Sequence, residues 1–575
     1  MHLLNERNCS VKPEVLFSVK AQRGPVLRCK GWRQESILRM MENNMENAER
    51  PSELIIYGGR ARCARNWESY HAIRRALMEL EHDETLVVQS GMPVAIFRTH
   101  RLAPGVIMAH SNMIRANWPE FNELLAKNLI SFASYTAGPW QYIGSQGVIQ
   151  GTFETLGAVA DRHYQGSLAG RMLLTAGLGG MGQSQPNAMK MHGGCSLTVE
   201  VDGRKIRDRI AAGKADLLVE TLETAVGAVE RARNEGKPLG VVVEGNAADV
   251  FPALLEMGWR PDVITEMCPC HDPLAYIPSG YNIEQASLLR RSDPEEYIRL
   301  SRPSMVRQLR AMNGYKRQGV PIFEYGTFIR SECMETGMSR EEATIVPGYM
   351  SEYVRDMYCE GRGPFRWTCI SGDPEDQRRL DDLALRLFPE DRMVQRWIPL
   401  ARGLPLEGLP ARICFLGFGQ RRRFGLAVNE MIQAGELKGP VAFSRDNLDS
   451  GSIVNPLSET ENMKDGSDAV ADWPYLNAML NVAAMADLVT VQSNGAMGIS
   501  VHTGVTMIAD GSEEAKLRLE ACLTTDPGIG IVRHAQAGYE IARRVAEGQG
   551  RLSGDRIKVP LWWTPEATFG PPERS

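Results

Sequence analysis

A glycine-rich turn between two apolar segments constrains the fold of this chain more than any other feature. The first segment ends near Ala176 and leads directly into Gly177-Leu-Gly179-Gly180-Met-Gly182. A helix-length stretch and a second apolar segment follow, and this second segment ends in Glu200 and Asp202. Such an order is typical of a dinucleotide site, where glycines admit the pyrophosphate and an acid about 20 residues further on binds a ribose hydroxyl. Because strand, helix and acid are in register, the sequence favours a bound dinucleotide.

Strands and helices alternate around this turn, from about residue 170 to residue 265. Strands are predicted at 172–177, 195–201, 238–245 and 262–267, and helices at about 215–234 and 247–258. This alternation predicts right-handed crossovers and a parallel sheet. Elsewhere the patterns predict a helix near Trp32–Asn44, a hairpin around Gly91, and strands at 411–419 and 441–446.

Three loops follow successive strands of the predicted parallel sheet, at residues 177–182, 245–247 and 267–271. Open parallel sheets bind ligands at the carboxyl ends of their strands. Gly, Asn and His in any one of these loops are also explained by ordinary turn chemistry. Since all three exits carry such residues, cofactor binding is the preferred interpretation.

Bulk properties exclude several classes of function. The chain has 575 residues, 43% of them hydrophobic and 23% charged, with a formal net charge of -5. A mildly acidic chain has no general attraction for nucleic acid or anionic membranes, and no uninterrupted apolar stretch is long enough to span a bilayer. Eleven unevenly placed cysteines do not form a disulfide framework, so a reducing cytoplasm is the predicted location.

Several reactive residues have two interpretations. Cys268 and Cys270 lack a second close pair, so no metal site is predicted. Cys414 lies inside an apolar segment, where a cysteine is usually a small core residue, but a Gly-x-Gly turn follows and it could instead face a site. Two carboxylate-rich runs, at 445–451 and 464–468, are either solvated turns or the walls of a polar cleft able to perform acid–base chemistry.

Collinear motifs along nearly the whole chain give a more specific signal. They are Arg23–Pro25, Leu27–Trp32, Tyr57–Gly59, Ala64–Trp67, Tyr142–Gly147, the glycine turn, Gly245–Ala248, His271–Pro273, Gly363–Trp367, Ser371–Asp376, Gly408–Cys414, Leu448–Ser452, Glu459–Glu461 and Met463–Pro474. Together these motifs resemble the urocanase (urocanate hydratase) family.

The resemblance implies an unusual hydro-lyase. Urocanases bind NAD+ tightly and use its nicotinamide ring as an electrophile toward the imidazole ring of the substrate, without net oxidation. Water is added, and the product is an imidazolone propionate. The implied fold is α/β, with a Rossmann-like NAD-binding domain inserted into a discontinuous α/β core domain, and the implied assembly is a homodimer. On this chain the core domain is expected at 1–140 and 350–575 and the NAD-binding domain at 141–349. Hydride transfer, the usual inference from the glycine turn alone, is therefore replaced.

The resemblance also assigns residues. Cys414, Asp449 and Arg366 match catalytic positions, with Arg366 expected to pair with the substrate carboxylate and Asp449 expected near the imidazole ring. The expected NAD+ contacts are Gly58, Gly59, Gly180, Met181, Gly182, Glu200, Asn246, Ala247, Met267, Cys268, His271, Tyr276, Tyr325 and Gly495. The expected substrate contacts are Tyr57, Arg366, Thr327, Phe328, Gln492 and Ser493.

Departures from the family pattern concentrate where the imidazole ring is expected. Gln492-Ser493 replaces a His-His run, Thr327-Phe328 replaces Asn-Asn, Ser134 replaces a Gln, and Met267-Cys268 lies in a loop that differs from the family's. These exchanges are expected to make the pocket around the ring more polarisable and more apolar, which suits a sulfur-bearing ligand. The hypothesis is hydration of thiourocanate or S-methylthiourocanate, as expected from ergothioneine breakdown. The alternatives are urocanate hydration in histidine degradation and a non-catalytic sensor that binds NAD or an imidazole.

Overall fold

The computed structural model describes residues 19–116, 118–142, 144–493 and 499–562. Strands are β1 Ile55–Tyr57, β2 Ala61–Arg62, β3 Glu84–Gln89, β4 Met92–Arg98, β5 Val106–His110, β6 Met172–Ala176, β7 Cys195–Glu200, β8 Leu217–Val219, β9 Gly240–Glu244, β10 Val263–Ile264, β11 Gly363–Cys369, β12 Ala411–Leu416, β13 Val441–Arg445, β14 Ile453–Val454, β15 Leu488–Ser493 and β16 Val501–Ala509.

Helices pack on both sides of these strands. They are α1 Trp32–Glu46, α2 Trp67–Glu79, α3 Pro119–Ala126, α4 Gly144–His163, α5 Ser184–Met191, α6 Gly203–Ala211, α7 Leu222–Asn234, α8 Ala247–Glu256, α9 Ile283–Ser292, α10 Pro294–Arg317, α11 Ile329–Glu335, α12 Arg340–Ala343, α13 Arg355–Cys359, α14 Pro374–Leu387, α15 Arg392–Ala401, α16 Gln420–Gln433, α17 Asp472–Ala483, α18 Glu513–Gln536 and α19 Glu540–Ala546. A 3₁₀ turn at Pro51–Glu53 and a π-helical turn at Met350–Val354 complete the described elements. None of the described helices is long and apolar enough to cross a membrane.

The predicted parallel sheet is present as five strands in the order β10-β6-β7-β9-β8. Its central strands are buried on both faces, which explains why they read as continuous apolar runs rather than as alternating ones. This sheet, with helices on both sides, confirms the predicted α/β fold and its Rossmann-like part.

Two details of the helix prediction in this sheet are wrong. The helix expected from residue 215 begins only at Leu222, because Leu217–Val219 forms an edge strand and Thr221 then caps the helix by accepting the Thr224 N–H. The short helix α6 was not predicted. Its apolar signal is only two residues long, because Ile206 is buried and Ile210, one turn later, is partly buried, and Asp202 caps its first turn.

A second, nine-stranded sheet draws its strands from both ends of the chain. Its order is β12-β11-β13-β16-β15-β5-β3-β4, and β14 pairs with β16. Strand β15 runs parallel to β5, although almost 400 residues separate them, and β3 and β4 form the hairpin predicted around Gly91. The predicted domain bounds stay a prediction, but every described strand of this sheet lies outside 141–349 and every strand of the five-stranded sheet lies inside.

The nine-stranded sheet has two chemically different faces. Residues paired across antiparallel strands project to the same face, so the pairs Phe365–Cys414 and Arg366–Ile413 mark opposite faces. The face of Cys414 packs in the main apolar core, with side chains from α14, α15 and α16. We call it the helix face. The face of Arg366 also carries Ser444 of β13 and Thr506 of β16. We call it the site face.

Candidate functional site

The glycine turn between β6 and α5 is shaped by close backbone contacts. A Cβ on Gly177, which has φ +89°, would lie 2.4 Å from the carbonyl oxygen of Met267. A Cβ on Gly182 would lie 2.2 Å from the carbonyl oxygen of Gly177. Gly179 and Gly180 have open space where a Cβ would stand. The outer glycines are therefore required by packing, and the middle pair leaves backbone N–H groups accessible to a pyrophosphate.

Glu200 at the end of β7 is held against this turn. Its carboxylate accepts the Leu178 N–H at 2.6 Å and the Asp202 N–H at 3.0 Å, and it pairs with Lys205 Nζ at 3.2 Å. Asn246 caps α8 by accepting the Ala248 N–H at 2.9 Å. An acid and a helix cap thus stand at neighbouring strand ends, as a ribose-binding edge requires.

A cavity of about 240 Å³ lies between these strand ends. Its lining includes Gly177, Gly179, Glu200, Asn246, Ala247, Met267, Cys268 and Tyr276. Six of these were predicted as NAD+ contacts. Gly180, Met181 and Gly182 complete the turn beside it, and half of the Met181 side chain is exposed. The open glycine cradle and the adjacent acid fit a dinucleotide.

Strands β1 and β2 form a separate two-stranded antiparallel sheet, and the turn between them carries Gly58 and Gly59. The N–H groups of Gly58 and Gly59 donate to the two oxygens of Glu49 at 3.2 and 3.1 Å, which is the geometry of a small anion-binding nest. Burial lowers the pKa of the neighbouring Arg60, and the charge of Asp272 opposes that shift. Arg60, next to Gly59, therefore lies near Asp272, which follows the exposed His271. The NAD+ contacts of Gly58 and Gly59 stay a prediction.

Tyr325 lies in the wall between the two sheets. Its hydroxyl donates to Thr152 Oγ1 at 3.2 Å, and its ring stacks on Tyr349 with the centroids 4.4 Å apart. Thr327 and Phe328 are more enclosed than a substrate contact requires. The Thr327 hydroxyl bonds Glu266, whose pKa burial raises to about 8, and the Phe328 side chain is buried. Their substrate roles stay predictions.

Arg366 is the central cation of the site face. Its Nε donates to Ser444 Oγ at 3.1 Å and its Nη2 donates to the main-chain oxygen of Gln141. Its Nη1 has no partner among the described residues, although the side chain is only 3% exposed. Burial lowers the pKa of Arg366 to about 10, so the guanidinium stays charged at neutral pH. A buried charge with a free donor is suited to a carboxylate ligand.

Ionisable groups surround this guanidinium. Asp446, Tyr57 and Tyr142 each oppose the effect of burial on its pKa. Burial raises the pKa of Asp446 to about 6, and burial raises that of Glu459 to about 7. The Tyr57 hydroxyl is held by Ser134 O and Thr136 Oγ1, both at 2.9 Å. Two carboxyls that titrate near neutrality are suited to proton transfer.

A row of polar side chains crosses the site face at the ends of β5, β15 and β16. Gln492 is in register with His110 on one side and with His502 on the other, and all three are buried. Burial lowers the pKa of His110 to about 4 and that of His502 to about 3, so both rings are neutral. Ser493 donates to Asn112 Oδ1 at 3.2 Å. The predicted contact Gly495 lies outside the described residues.

Cys414 and Arg366 lie on opposite faces of the nine-stranded sheet. Cys414 is fully buried on the helix face, and burial raises the pKa of its thiol well above the usual value, with Glu154 adding to the shift. Its position agrees with the core interpretation of its spacing. A catalytic role for Cys414 stays a prediction from the resemblance.

Asp449 is likewise placed away from the guanidinium of Arg366. It forms a two-pronged ion pair with Arg421, with N–O distances of 2.6 and 2.9 Å, and lies 3.7 Å from Arg445 Nε. Both carboxylate oxygens are therefore occupied by a structural pair. Asp446, three residues earlier, is the acid that the structure brings to Arg366.

Sequence reasoning did not assign Glu459, Gln141 or His110 to the site, and it left His502 and Asn447 as candidates without a role. The carboxylate-rich run at 445–451 was the only local signal, and it did not distinguish Asp446 from Asp449. The others are brought together by strand register, which no local pattern encodes. Among the described residues no group of three or more His, Cys, Asp or Glu side chains could hold a metal ion.

Three family models match the chain in succession. The Urocanase N-terminal domain matches residues 19–141, the Urocanase Rossmann-like domain matches 144–353, and the Urocanase C-terminal domain matches 356–548. The three matches follow one another in the order in which the structure passes from the large sheet to the Rossmann-like sheet and back. Such a family supports a hydro-lyase that hydrates an imidazole acrylate, with a Rossmann-like domain consistent with NAD binding. The chain therefore belongs to the urocanase family.

Proposed function

We propose that this protein hydrates a sulfur-modified urocanate, either thiourocanate or S-methylthiourocanate, to an imidazolone propionate with the help of bound NAD+. The observation that carries the proposal is the buried Arg366, whose Nη1 is left for a ligand among groups that titrate near neutral pH. An imidazole acrylate has a carboxylate for this guanidinium and a ring to place toward the nicotinamide.

NAD+ would be held by the glycine turn, by Glu200 and by Asn246. When bound, it supplies an electrophile for the electron-rich imidazole ring. The remaining chemistry falls to the side chains of this chain. Arg366 binds and orients the carboxylate, and a carboxyl oxygen of Asp446 exchanges a proton with the attacking water or the substrate. Tyr57 and Tyr142 stay protonated because burial raises the pKa of each hydroxyl, so they act as hydrogen-bonding walls.

The sulfur-bearing substrate is supported by the exchanged residues. Gln492 stands where urocanases have a histidine, between two rings that are neutral. An amide side chain and two neutral imidazoles are better suited to bind an uncharged, larger ring than to bind a charged ring. Two sulfur-bearing residues, Met267 and Cys268, line the cavity at the glycine turn.

One assay separates the proposal from its alternatives. The purified protein is incubated with urocanate, thiourocanate and S-methylthiourocanate, and the loss of each ultraviolet chromophore is followed. Turnover of a sulfur-bearing compound at least about tenfold faster than urocanate, in kcat/KM, is expected. Faster turnover of urocanate would establish the histidine-degradation activity instead, and no turnover of any compound by NAD-loaded protein would favour the sensor. Arg366→Gln, assayed in parallel, shows that turnover belongs to this site.

A further inference from the structure

Helix α17 buries its more polar side and exposes its apolar side. Its buried residues are Pro474, Asn477, Ala478 and Asn481. Its outer face carries Tyr475, Leu476, Met479 and Val482, which are 40–61% exposed in the part of the chain that the structure describes, and Val470 just before the helix is also exposed. A surface helix normally does the opposite, and exposed apolar patches on globular proteins mark contact sites.

The two buried asparagines of α17 have a structural role. Asn477 Oδ1 accepts Arg445 Nη2 at 3.0 Å, and the side-chain amides of Asn477 and Asn481 donate to Asp526 Oδ1 at 3.0 and 2.9 Å. Arg445 and Asp526 form a buried ion pair at 2.8 Å. These contacts explain why the inner face is polar, and they leave the apolar outer face without an explanation inside the described chain.

The exposed apolar side chains of α17 form one continuous stripe. Tyr475, Leu476, Met479 and Val482 follow each other at spacings of one, three and three residues, so they lie along a single side of the helix. The stretch from Trp473 to Ala486 contains no charged residue. A helix that lies on a lipid surface carries Lys or Arg beside its apolar stripe. The composition of α17 therefore favours a protein partner.

The size of this stripe fits a contact with a second copy of itself. At about 200 Å² for a fully exposed large side chain, the five exposed side chains provide about 450 Å² per copy. A two-fold contact brings the same patch of both copies together, so with the exposed Ala469 and Ala483 it buries about 1,000 Å², the lower limit of a specific interface.

The one charge on the helix indicates how two copies would be oriented. Asp472 stands at the first position of α17. Antiparallel helices place the two Asp472 carboxylates about 15 Å apart along the helix axis, whereas parallel helices would bring them together. An antiparallel pair therefore keeps like charges out of the contact.

The edge strand β4 is the other exposed apolar segment, and it is less suited to such a contact. Val94, Ile96 and Phe97 are 43–60% exposed. Ile96 and Phe97 are consecutive in the strand, so their side chains project to opposite faces of the sheet and do not form one surface.

We infer that the outer face of α17 is a two-fold contact between two copies of this chain, with the two helices antiparallel. The inference goes beyond the proposed function, because neither cofactor nor substrate takes part in it. It assigns a surface to the homodimer, which the resemblance implies only as an assembly.

Sedimentation velocity on the full-length protein, from nanomolar to micromolar concentrations, measures the association. A dimer is expected, and Met479→Lys should raise its Kd at least about 100-fold, because the contact would bury a lone charge. Leu288→Lys on α9 is the matched control, since Leu288 is also 61% exposed, and it should leave the Kd unchanged. A dimer that survives Met479→Lys, or one that dissociates in Phe97→Lys instead, would overturn the inference.

Two single substitutions, Tyr475→Cys and Val482→Cys, test the direction of pairing. A short bis-maleimide is added to each variant alone and to an equal mixture after subunit exchange. Antiparallel helices bring Tyr475 close to Val482 of the partner subunit, so cross-linked dimers should form mainly in the mixture. The described native cysteines are all buried, and the unaltered protein gives the background. Cross-linking that is as efficient in each variant alone would contradict the antiparallel arrangement.

The unaltered protein decides the question even if a variant fails to fold. A monomer at every concentration would overturn the inference. Self-association that appears only when the chain is shortened to end at Trp562 would also overturn it, and would assign the outer face of α17 to the last residues of the same chain.

Discussion

Buried arginines on the two faces of the nine-stranded sheet are paired to different extents. On the site face, Arg366 donates from one nitrogen to Ser444 and from a second to a main-chain oxygen, and its third nitrogen has no partner among the described residues. On the side of the helix face, Arg421 uses both terminal nitrogens on Asp449 and its Nε on Leu416 O. Arg362 is paired in the same way with Asp391. A fully paired buried arginine has a structural role, whereas a buried arginine with an unpaired donor can bind a ligand.

The same contrast applies to the carboxyls and to the polar neutral groups. Asp446 titrates near neutrality on the site face, and Asp449 is locked to Arg421 three residues later. Amide oxygens of Gln141 and Asn447 lack donors on the site face, while the helix face near Cys414 is mainly apolar. The difference suggests a testable criterion: in this fold burial alone does not mark a functional residue, and we expect incomplete pairing on the site face to mark one.

Among the tests of this contrast, Arg366→Gln should have the largest effect. Loss of the Nη1 donor of Arg366 should lower kcat/KM about 10³-fold, because a charged hydrogen bond to the substrate carboxylate is lost in a buried place. Arg366→Lys should recover little, since a lysine cannot keep Ser444, Gln141 and a carboxylate together. Steady-state kinetics on the preferred acrylate measure both.

Arg362→Gln is the matched control. It removes a buried, fully paired arginine that precedes β11, so thermal stability should fall while kcat/KM per folded molecule changes little. Equal kinetic losses in the Arg362 and Arg366 variants would show that the two faces do not differ as proposed.

The parts of this fold that depend on neighbouring residues were predictable, and the parts that depend on strand register were not. The glycine turn, the buried parallel strands and the helix Ala247–Glu256 follow from local composition, and the structure confirms them. The edge strand at Leu217–Val219 was mistaken for helix, because two leucines fit either period. His110, Gln492 and His502 lie side by side only because β5, β15 and β16 are neighbouring strands. This strand order cannot be predicted from the sequence of any single segment.

Asp446→Asn should have the next largest effect, about 10²-fold in kcat/KM, as expected for loss of a positioned proton-transfer group. With the pKa of Asp446 raised to about 6, activity that needs its ionised form should rise through that pH, and the variant should lose this step. The profile of kcat/KM from pH 5 to 8 measures it. Asp376→Asn, which alters a buried carboxyl of α14, is the control and should keep the step.

The same substitution has a stability signature of defined sign. A carboxyl with a raised pKa binds its proton more tightly in the folded protein, so its contribution to stability is lost as pH rises from about 4 through about 6. Asp446→Asn should flatten the thermal stability over that interval. A variant as pH-sensitive as the unaltered protein would mean that another group sets the slope.

Asp449→Asn should lower stability, whereas Asp446→Asn should lower activity. The variant breaks a buried ion pair and leaves Arg421 uncompensated, so unfolding free energy should fall by about 3 kcal/mol. Activity of the folded fraction should change less than about tenfold, with no altered pH step. Urea unfolding and active-site-normalised kinetics test this, and a 10²-fold kinetic loss at unchanged stability would instead support the catalytic role that the resemblance assigns to Asp449.

Cys414→Ala should have the smallest effect. It tests most directly whether the role of Cys414 follows from its buried position or from the family resemblance. Deleting one buried sulfur from the helix face should lower stability by about 1 kcal/mol, a small cavity cost. With its thiol fully buried and its pKa raised well above the usual value, Cys414 is a poor nucleophile, so kcat/KM should change less than about threefold. Cys369→Ala, a fully buried cysteine on the same face of β11, is the matched control. If Cys414→Ala abolishes turnover while Cys369→Ala does not, the thiol acts on the site through the sheet, and the two faces are functionally coupled.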